Sequence, residues 1–434
     1  MAVEAAEAAH RALRWVADAA RPAEGGASWP RTRSADSPLA DDLYSGTAGV
    51  LVALAEARLD GIGEFDDAAR AAVGRLEFVS ASHAADLRAR LRAASDDVLS
   101  VEGLGLYSGL AGQAAALRIW AEAAGDEQAA TAARAVTAAV AAAAMSGRAL
   151  SSFRDIIAGE AGILLALLDL GCEPEAAMVL AERLAASATW IDGEPDWYAH
   201  PDISCLLPNF SHGAAGIGLA LATAGARLDR PDLIELARAA AQRLVRLGTR
   251  PDGTIAVPHS IPLQDPEAAV SYGWCHGPTG TLRLFGLLDQ LRPAEGWRDH
   301  ADSCRRAVRE CGLPARLYPG FWDNLGQCCG TAGVAEMALD HYQETGDRAW
   351  LDWSGTLAED VLARSIADGD GVRWSQTEHR ATPPELPPSV GRMQGTAGIA
   401  GWLLRLARVR RDRAAPRLSL PDLPRLAAGA APAV

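Results

Sequence analysis

The chain has 434 residues, is 49% hydrophobic, carries a net charge of −14 and contains seven cysteines. It is long and apolar enough for a large core, and its acidic balance excludes a nucleic-acid partner, which needs a basic face. No apolar run approaches the roughly 20 residues of a membrane helix, and the odd cysteine count points to metal or catalytic use rather than a disulfide framework.

The start, Met1-Ala2-Val3-Glu4-Ala5-Ala6-Glu7, lacks the basic and apolar regions of a signal peptide, so a cytoplasmic location is expected. Residues 3–20 read as an amphipathic helix with alanines, leucines and Trp15 on one face. A polar, proline-containing connection covers 21–42. Gly46 then opens an apolar helix through Val50, Leu51, Val52 and Leu54, followed by a mixed-charge helical stretch over 66–97. The alternation continues with an apolar helix from Gly109 and an alanine-rich partner over 127–147. It runs on from Gly159 with 173–190, Gly213 with 230–248, Gly277 with 296–311 and Gly330 with 348–369, and ends at Gly395. No segment has a convincing strand pattern.

Each apolar helix opens on Gly-x-x-Gly: Gly46/Gly49, Gly109/Gly112, Gly159/Gly162, Gly213/Gly216, Gly277/Gly280, Gly330/Gly333 and Gly395/Gly398. The intervals of 63, 50, 54, 64, 53 and 65 residues mark an internal repeat. The first glycine suits a helix N-cap. The second, one turn later, removes a side chain where elements approach closely. The expected fold is all-α: a closed α/α toroid of seven inner and seven outer helices, with 3–20 as the outer partner of the last inner helix. It forms one domain over 1–411, and residues 412–434, rich in Pro, Arg and Ala, are expected to be a loosely ordered tail. The long non-helical stretches are 191–211, 249–274, 312–329 and 370–394; such loops on a rigid scaffold tend to carry function.

The repeat supplies its own comparison. One position before the first glycine stand Ser45, Ser108, Ala158, His212, His276, Cys329 and Gln394; two before stand Tyr44, Tyr107, Ile157, Ser211, Cys275, Cys328 and Met393. Repeats four, five and six thus carry His, Cys-His and Cys-Cys. Equivalent positions share one end of a repeat fold and consecutive repeats are neighbours, so these side chains are expected to converge. Cys275, Cys328 and Cys329 are three soft ligands suited to Zn²⁺, and three protein ligands leave the fourth tetrahedral position open, as in catalytic sites. The alternatives are ordinary buried cysteines, or His276 as third ligand in place of Cys329. His212 is placed for acid–base work. Asp155, four residues before Gly159, either orients a histidine or accepts a thiol proton, or is simply a carboxylate at a helix N-terminus stabilised by the dipole. Cys172, Cys205, Cys304 and Cys311 have no such register and read as packing residues.

Through Trp274-Cys275-His276-Gly277, Cys328-Cys329-Gly330, Ser211-His212-Gly213 and Asp155, together with all seven glycine motifs, the chain resembles the lanthionine synthetase C-like (LanC) family over nearly its whole length. The resemblance implies an α/α toroid with zinc at one end, and addition of a cysteine thiol to dehydroalanine or dehydrobutyrine to close (methyl)lanthionine thioether rings in a ribosomal peptide. It implies Cys275 and Cys328 as zinc ligands and His212 with Asp155 as the acid–base pair. The implied partners are a dehydrated precursor peptide and a separate dehydratase or kinase/lyase protein. Two departures stand out. Cys328-Cys329-Gly330 replaces the family's usual Cys-His-Gly, a pattern shared by a subset thought to use three cysteines. The arginine often found before the first zinc cysteine is missing from Ala269-Val270-Ser271-Tyr272-Gly273. Two other readings remain: a LanC-like peptide- or glutathione-binding protein without cyclase activity, and a zinc-dependent thiol prenyltransferase-like toroid.

Overall fold

The computed structural model describes residues 2–92, 103–264, 270–315, 324–377 and 385–424. Among them are fourteen α-helices that alternate as the repeat predicts. Seven follow the glycine motifs: α2 (Thr47–Leu59), α4 (Leu110–Ala124), α6 (Glu160–Asp169), α8 (Ala214–Arg227), α10 (Pro278–Leu291), α12 (Thr331–Thr345) and α14 (Thr396–Arg411). Their partners are α1 (Ala2–Ala17), α3 (Asp66–Arg92), α5 (Glu127–Ala144), α7 (Pro174–Ala186), α9 (Pro231–Gly248), α11 (Trp297–Arg309) and α13 (Arg348–Ala363). Residues 93–97 of the expected third helix lie outside the described residues.

Composition separates the two sets. In α2 every residue from Thr47 to Ala57 is buried, as expected of a helix apolar on all sides. In α9 only one stripe is buried, with Leu233, Ile234, Ala237, Ala240, Ala241 and Leu244 recurring at helical spacing. Pro174, Pro231 and Pro278 each begin a helix, where the missing N–H costs nothing.

No strands are expected from the sequence; among the described residues there are nine short ones, all antiparallel and all in the connections. They are β1 (Arg21–Ala23), β2 (Gly26–Pro30), β3 (Leu39–Ala40), β4 (Thr189–Ile191), β5 (Glu194–Asp196), β6 (Ile366–Asp368), β7 (Gly371–Arg373), β8 (Gln376–Thr377) and β9 (Glu385–Leu386). They explain why several helices stop short of the expected ends: the chain beyond Ala186 and Ala363 turns into the β4–β5 and β6–β7 hairpins.

The described chain packs as two compact units, one formed by Met1–Ser80, Ala116–Ala133 and Gly312–Leu418, the other by Ala81–Ala115, Arg134–Cys311 and Ser419–Val434. In the first, α14 lies against α1, α2 and α12, so the first outer helix does pack on the last inner one. In the second, α8 is central, packed between α6 and α10 and backed by α9.

The glycine motifs owe their form to the turn that precedes each inner helix. Gly46, Gly159, Gly213, Gly277, Gly330 and Gly395 are N-caps with extended backbone and no side-chain cap. The first helical N–H groups instead donate to carbonyls seven residues earlier: Glu160 to Phe153 (3.2 Å), Ala161 to Arg154 (3.2 Å), Thr331 to Asn324 (3.1 Å) and Thr396 to Ser389 (3.0 Å). The turn thus folds back over its own helix and satisfies the orphan donors with main chain. That geometry leaves no room for a Cβ at the second glycine, because the carbonyl six residues back would stand 2.2 Å away at Gly162, 2.1 Å at Gly216 and 2.0 Å at Gly280. We expect Gly280→Ala, whose methyl would also meet the Phe210 Cβ at 2.5 Å, to destabilise the protein by about 1–3 kcal/mol. Thermal unfolding checks this, and an unchanged melting temperature would refute the close-approach explanation.

The turns are also tied to one another. At the position two before the glycine, Tyr107 N donates to Ile157 O (2.9 Å), Ser211 N to Cys275 O (2.9 Å), Cys328 N to Met393 O (2.8 Å) and Met393 N to Tyr44 O (2.9 Å); Ile156 N reaches Ser211 O at 3.1 Å. Turns of consecutive repeats are therefore joined by main-chain hydrogen bonds within each unit.

Candidate metal and acid–base site

The turns that open α10 and α12 carry the three motif cysteines. None of the chain's seven cysteines is disulfide-bonded. Cys275, Cys328 and Cys329 are only 3%, 3% and 5% exposed. The Cys328 and Cys329 sulfurs are 3.3 Å apart. Sulfurs each ~2.3 Å from a tetrahedral zinc stand about 3.8 Å from one another, so the Cys328–Cys329 pair fits that ion in spacing and in softness. His276, the alternative third ligand, is 8% exposed. Its ring stacks on His259 with centroids 3.9 Å apart and planes 13° from parallel.

The turn that opens α8 presents His212. Its Nδ1 lies 2.6 Å from Asp155 Oδ2. Asp155 is 1% exposed, whereas the His212 side chain is 32% exposed. Asp155 Oδ1 accepts from the main-chain N–H groups of Ala158 (2.8 Å) and Gly159 (2.9 Å). One Asp155 oxygen thus fixes the turn before α6, and the other meets the imidazole. A proton on Nδ1 suits that contact and leaves Nε2 as the other ring nitrogen. The rings of His212 and His276 are 5.5 Å apart, so the His212–Asp155 pair adjoins the residue that follows Cys275.

Of the remaining cysteines, Cys205, Cys304 and Cys311 are buried, whereas Cys172 is half-buried. Complete burial pushes the Cys304 thiol far above its ordinary range, and partial burial raises Cys172; neither is a ready thiolate. Before Cys275, where the resemblance calls for an arginine, Ala269 lies outside the described residues. Arg250 donates to Tyr272 Oη at 3.0 Å from an earlier loop. Two residues here escaped the sequence reading. His259 lies in the long 249–274 connection, with no register to single it out. Asp422 comes from the expected tail, yet is 1% exposed and bonded to Trp274; residues 425–434 of that tail lie outside the described residues.

Residues 37–419 match the family described as lanthionine synthetase C-like protein, and the chain belongs to that family. Among solved structures it is similar to nisin cyclase, with a TM-score of 0.59 and 16% identity over 84% of this chain and 88% of that one. It is also similar to the Lin0763 protein from Listeria innocua (TM-score 0.49, 12% identity, 94% of this chain and 97% of that one). A GH76 α-mannanase from Bacteroides thetaiotaomicron follows (0.49, 10%, 93% and 96%). The likeness to nisin cyclase identifies the fold as an α/α toroid. No curated protein matches the sequence. Among the described residues no helix is long and apolar enough to cross a membrane.

Proposed function

We propose that the protein is a zinc-dependent lanthipeptide cyclase, adding a peptide cysteine thiol to dehydroalanine or dehydrobutyrine to form a (methyl)lanthionine thioether. The reading rests on three buried thiols at equivalent repeat positions, two of them with sulfurs 3.3 Å apart, and on a carboxylate-held histidine. Cys275, Cys328 and Cys329 would hold the zinc, which when bound keeps a substrate thiol in its thiolate form, the nucleophile. Three cysteine thiolates exceed the charge of Zn²⁺ by one, which favours a more electron-rich bound thiolate than two cysteines and a histidine would give.

The addition needs no leaving group. Sulfur bonds to the β-carbon, the π pair moves toward the α-carbon and carbonyl, and the resulting enolate takes one proton at the α-carbon. His212 Nε2 supplies that proton, directly or through a water, while Asp155 stabilises the ring as the imidazolium that must form first. The half-exposed His212 against a buried Asp155 supports this division of roles, since the acid must reach substrate and its partner need not. This contact also favours the cyclase over a binding-only relative. Dehydration of the peptide is left to another protein, such as a dehydratase or kinase/lyase.

The test uses zinc-loaded protein and a synthetic peptide with one dehydroalanine and one downstream cysteine. Cyclisation leaves the mass unchanged but removes the thiol, so mass spectrometry after alkylation should show a falling fraction of alkylated peptide. Alkylation that stays complete after prolonged incubation would overturn the proposal.

The ligand set has its own test. We expect Cys329→Ala to lose most of its zinc and His276→Ala to keep it. Cys329→His should retain zinc with a less reactive bound thiolate. Elemental analysis of the two alanine variants decides between the sets, and the reverse pattern would make His276 the third ligand.

A further inference from the structure

Asp422 belongs to the segment that follows α14 and is 1% exposed. Three donors converge on its Oδ2: Tyr107 Oη at 3.1 Å, Trp274 Nε1 at 3.1 Å and Arg283 Nη1 at 2.6 Å. The same guanidinium donates to the Asp422 main-chain carbonyl at 3.3 Å. Asp422 Oδ1 is buried with no hydrogen-bond partner among the described residues.

The residues around this carboxylate form a closed set. Trp274, 3% exposed, is met edge-on by Tyr107 (centroids 5.1 Å) and by Phe210 (5.4 Å). Arg283 lies over the Phe210 ring at 5.2 Å and the Trp274 ring at 6.0 Å. Trp274 immediately precedes Cys275, and Phe210 stands two residues before His212, so the cluster grips the two turns that carry the proposed ligand and the proposed acid. An indole has a single donor, and bonding it to a fixed acceptor sets the ring's orientation.

Packing alone does not ask for an acid here. Burying a carboxylate with one oxygen unsatisfied is costly, and a well-packed apolar side chain commonly serves stability as well or better than a buried ion pair. We infer that Asp422 is a positioning residue for the metal-binding turn: it fixes the Trp274 ring and, through it, the placement of Cys275. The inference rests on the reading of Cys275 as a zinc ligand.

The experiment is the rate of zinc release from the full chain to excess chelator, for wild type, Asp422→Asn, Trp274→Phe and the double variant, with helical circular dichroism alongside. Removing groups that orient a ligand typically costs 10–100-fold in metal affinity, and a partner one residue away should fall at the low end. Each single variant should release zinc about ten times faster than wild type, with unchanged helical content, and the double variant no faster than the singles. A residue that merely anchors the C-terminal segment would lower the melting temperature and leave release unchanged. Wild-type release in Asp422→Asn, or additive effects in the double variant, overturns the inference. Should Asp422→Asn fail to fold, Trp274→Phe alone decides, since Tyr107 and Arg283 still hold the carboxylate there; wild-type release in that variant is then the overturning result. A wild-type protein that takes up no zinc defeats the thiol-cluster reading, and this inference with it, in the control measurement itself.

Discussion

His212→Ala and His212→Asn are expected to cyclise a dehydrated peptide about 10²–10⁴-fold more slowly than wild type while keeping their zinc and still binding the peptide. The expectation follows from where the side chain sits. Its turn is held by main-chain bonds, Gly213 N to Asn209 O at 3.0 Å and Ser211 N to Cys275 O at 2.9 Å, so losing the ring leaves the backbone in place. What is lost is the proton donor. Asp155→Asn should move in the same direction. Its Oδ1 can still accept from Ala158 and Gly159, but the amide that replaces Oδ2 sets a donor against His212 Nδ1 and removes the charge that stabilises the imidazolium. Because the two act as one unit, the double variant should be less than additive. Single-turnover mass spectrometry with thiol alkylation measures the rates. Wild-type rates in zinc-loaded His212 variants would leave solvent as the proton source and His212 as a structural residue.

The second large effect is expected at the thiols. Wild-type protein should contain about one zinc per chain, and Cys275→Ala or Cys328→Ala should contain almost none, because a site with three protein ligands does not survive the loss of one. Cyclisation should be lost with the metal. The fold should survive, since what these cysteines give the scaffold is main chain: Cys275 O accepts from Ser211 N, and Cys328 N donates to Met393 O. Elemental analysis with circular dichroism checks both halves. Stoichiometric zinc in Cys275→Ala would remove that residue from the ligand set.

What could be read from the sequence depended on whether the backbone imposed a residue type. The second glycine of six of the repeats, Gly49, Gly162, Gly216, Gly280, Gly333 and Gly398, is imposed by a carbonyl 1.9–2.4 Å from where its Cβ would lie, so the motifs are plain in the chain and carry the repeat, the helix alternation and the register of the cysteines and His212. The hairpins were not plain, because strands of two to five residues are too short for alternation to register. One signal was there to be used: Asp192 and Gly193, at φ 54° and 81°, form the Asp-Gly turn that joins β4 to β5. His259 and Asp422 were invisible for a different reason. Their partners, His276, Trp274, Tyr107 and Arg283, are far away along the chain, and neither residue occupies a repeat position.

The hydrogen bonds that link one turn to the next, from Tyr107 through Ile157, Ser211 and Cys275 in one unit and from Cys328 through Met393 to Tyr44 in the other, use only N–H and C=O groups. Architecture and reagent are thus written in different atoms of the same residues. The Tyr107 side chain is itself bonded to Asp422, but at Ser211, Cys275, Cys328 and Met393 the turn-to-turn bonds ask nothing of the side chain. A substitution there changes which donor is offered without asking the helices to repack, and that is the condition under which a cysteine can take a place held elsewhere by a histidine while the fold stays the same.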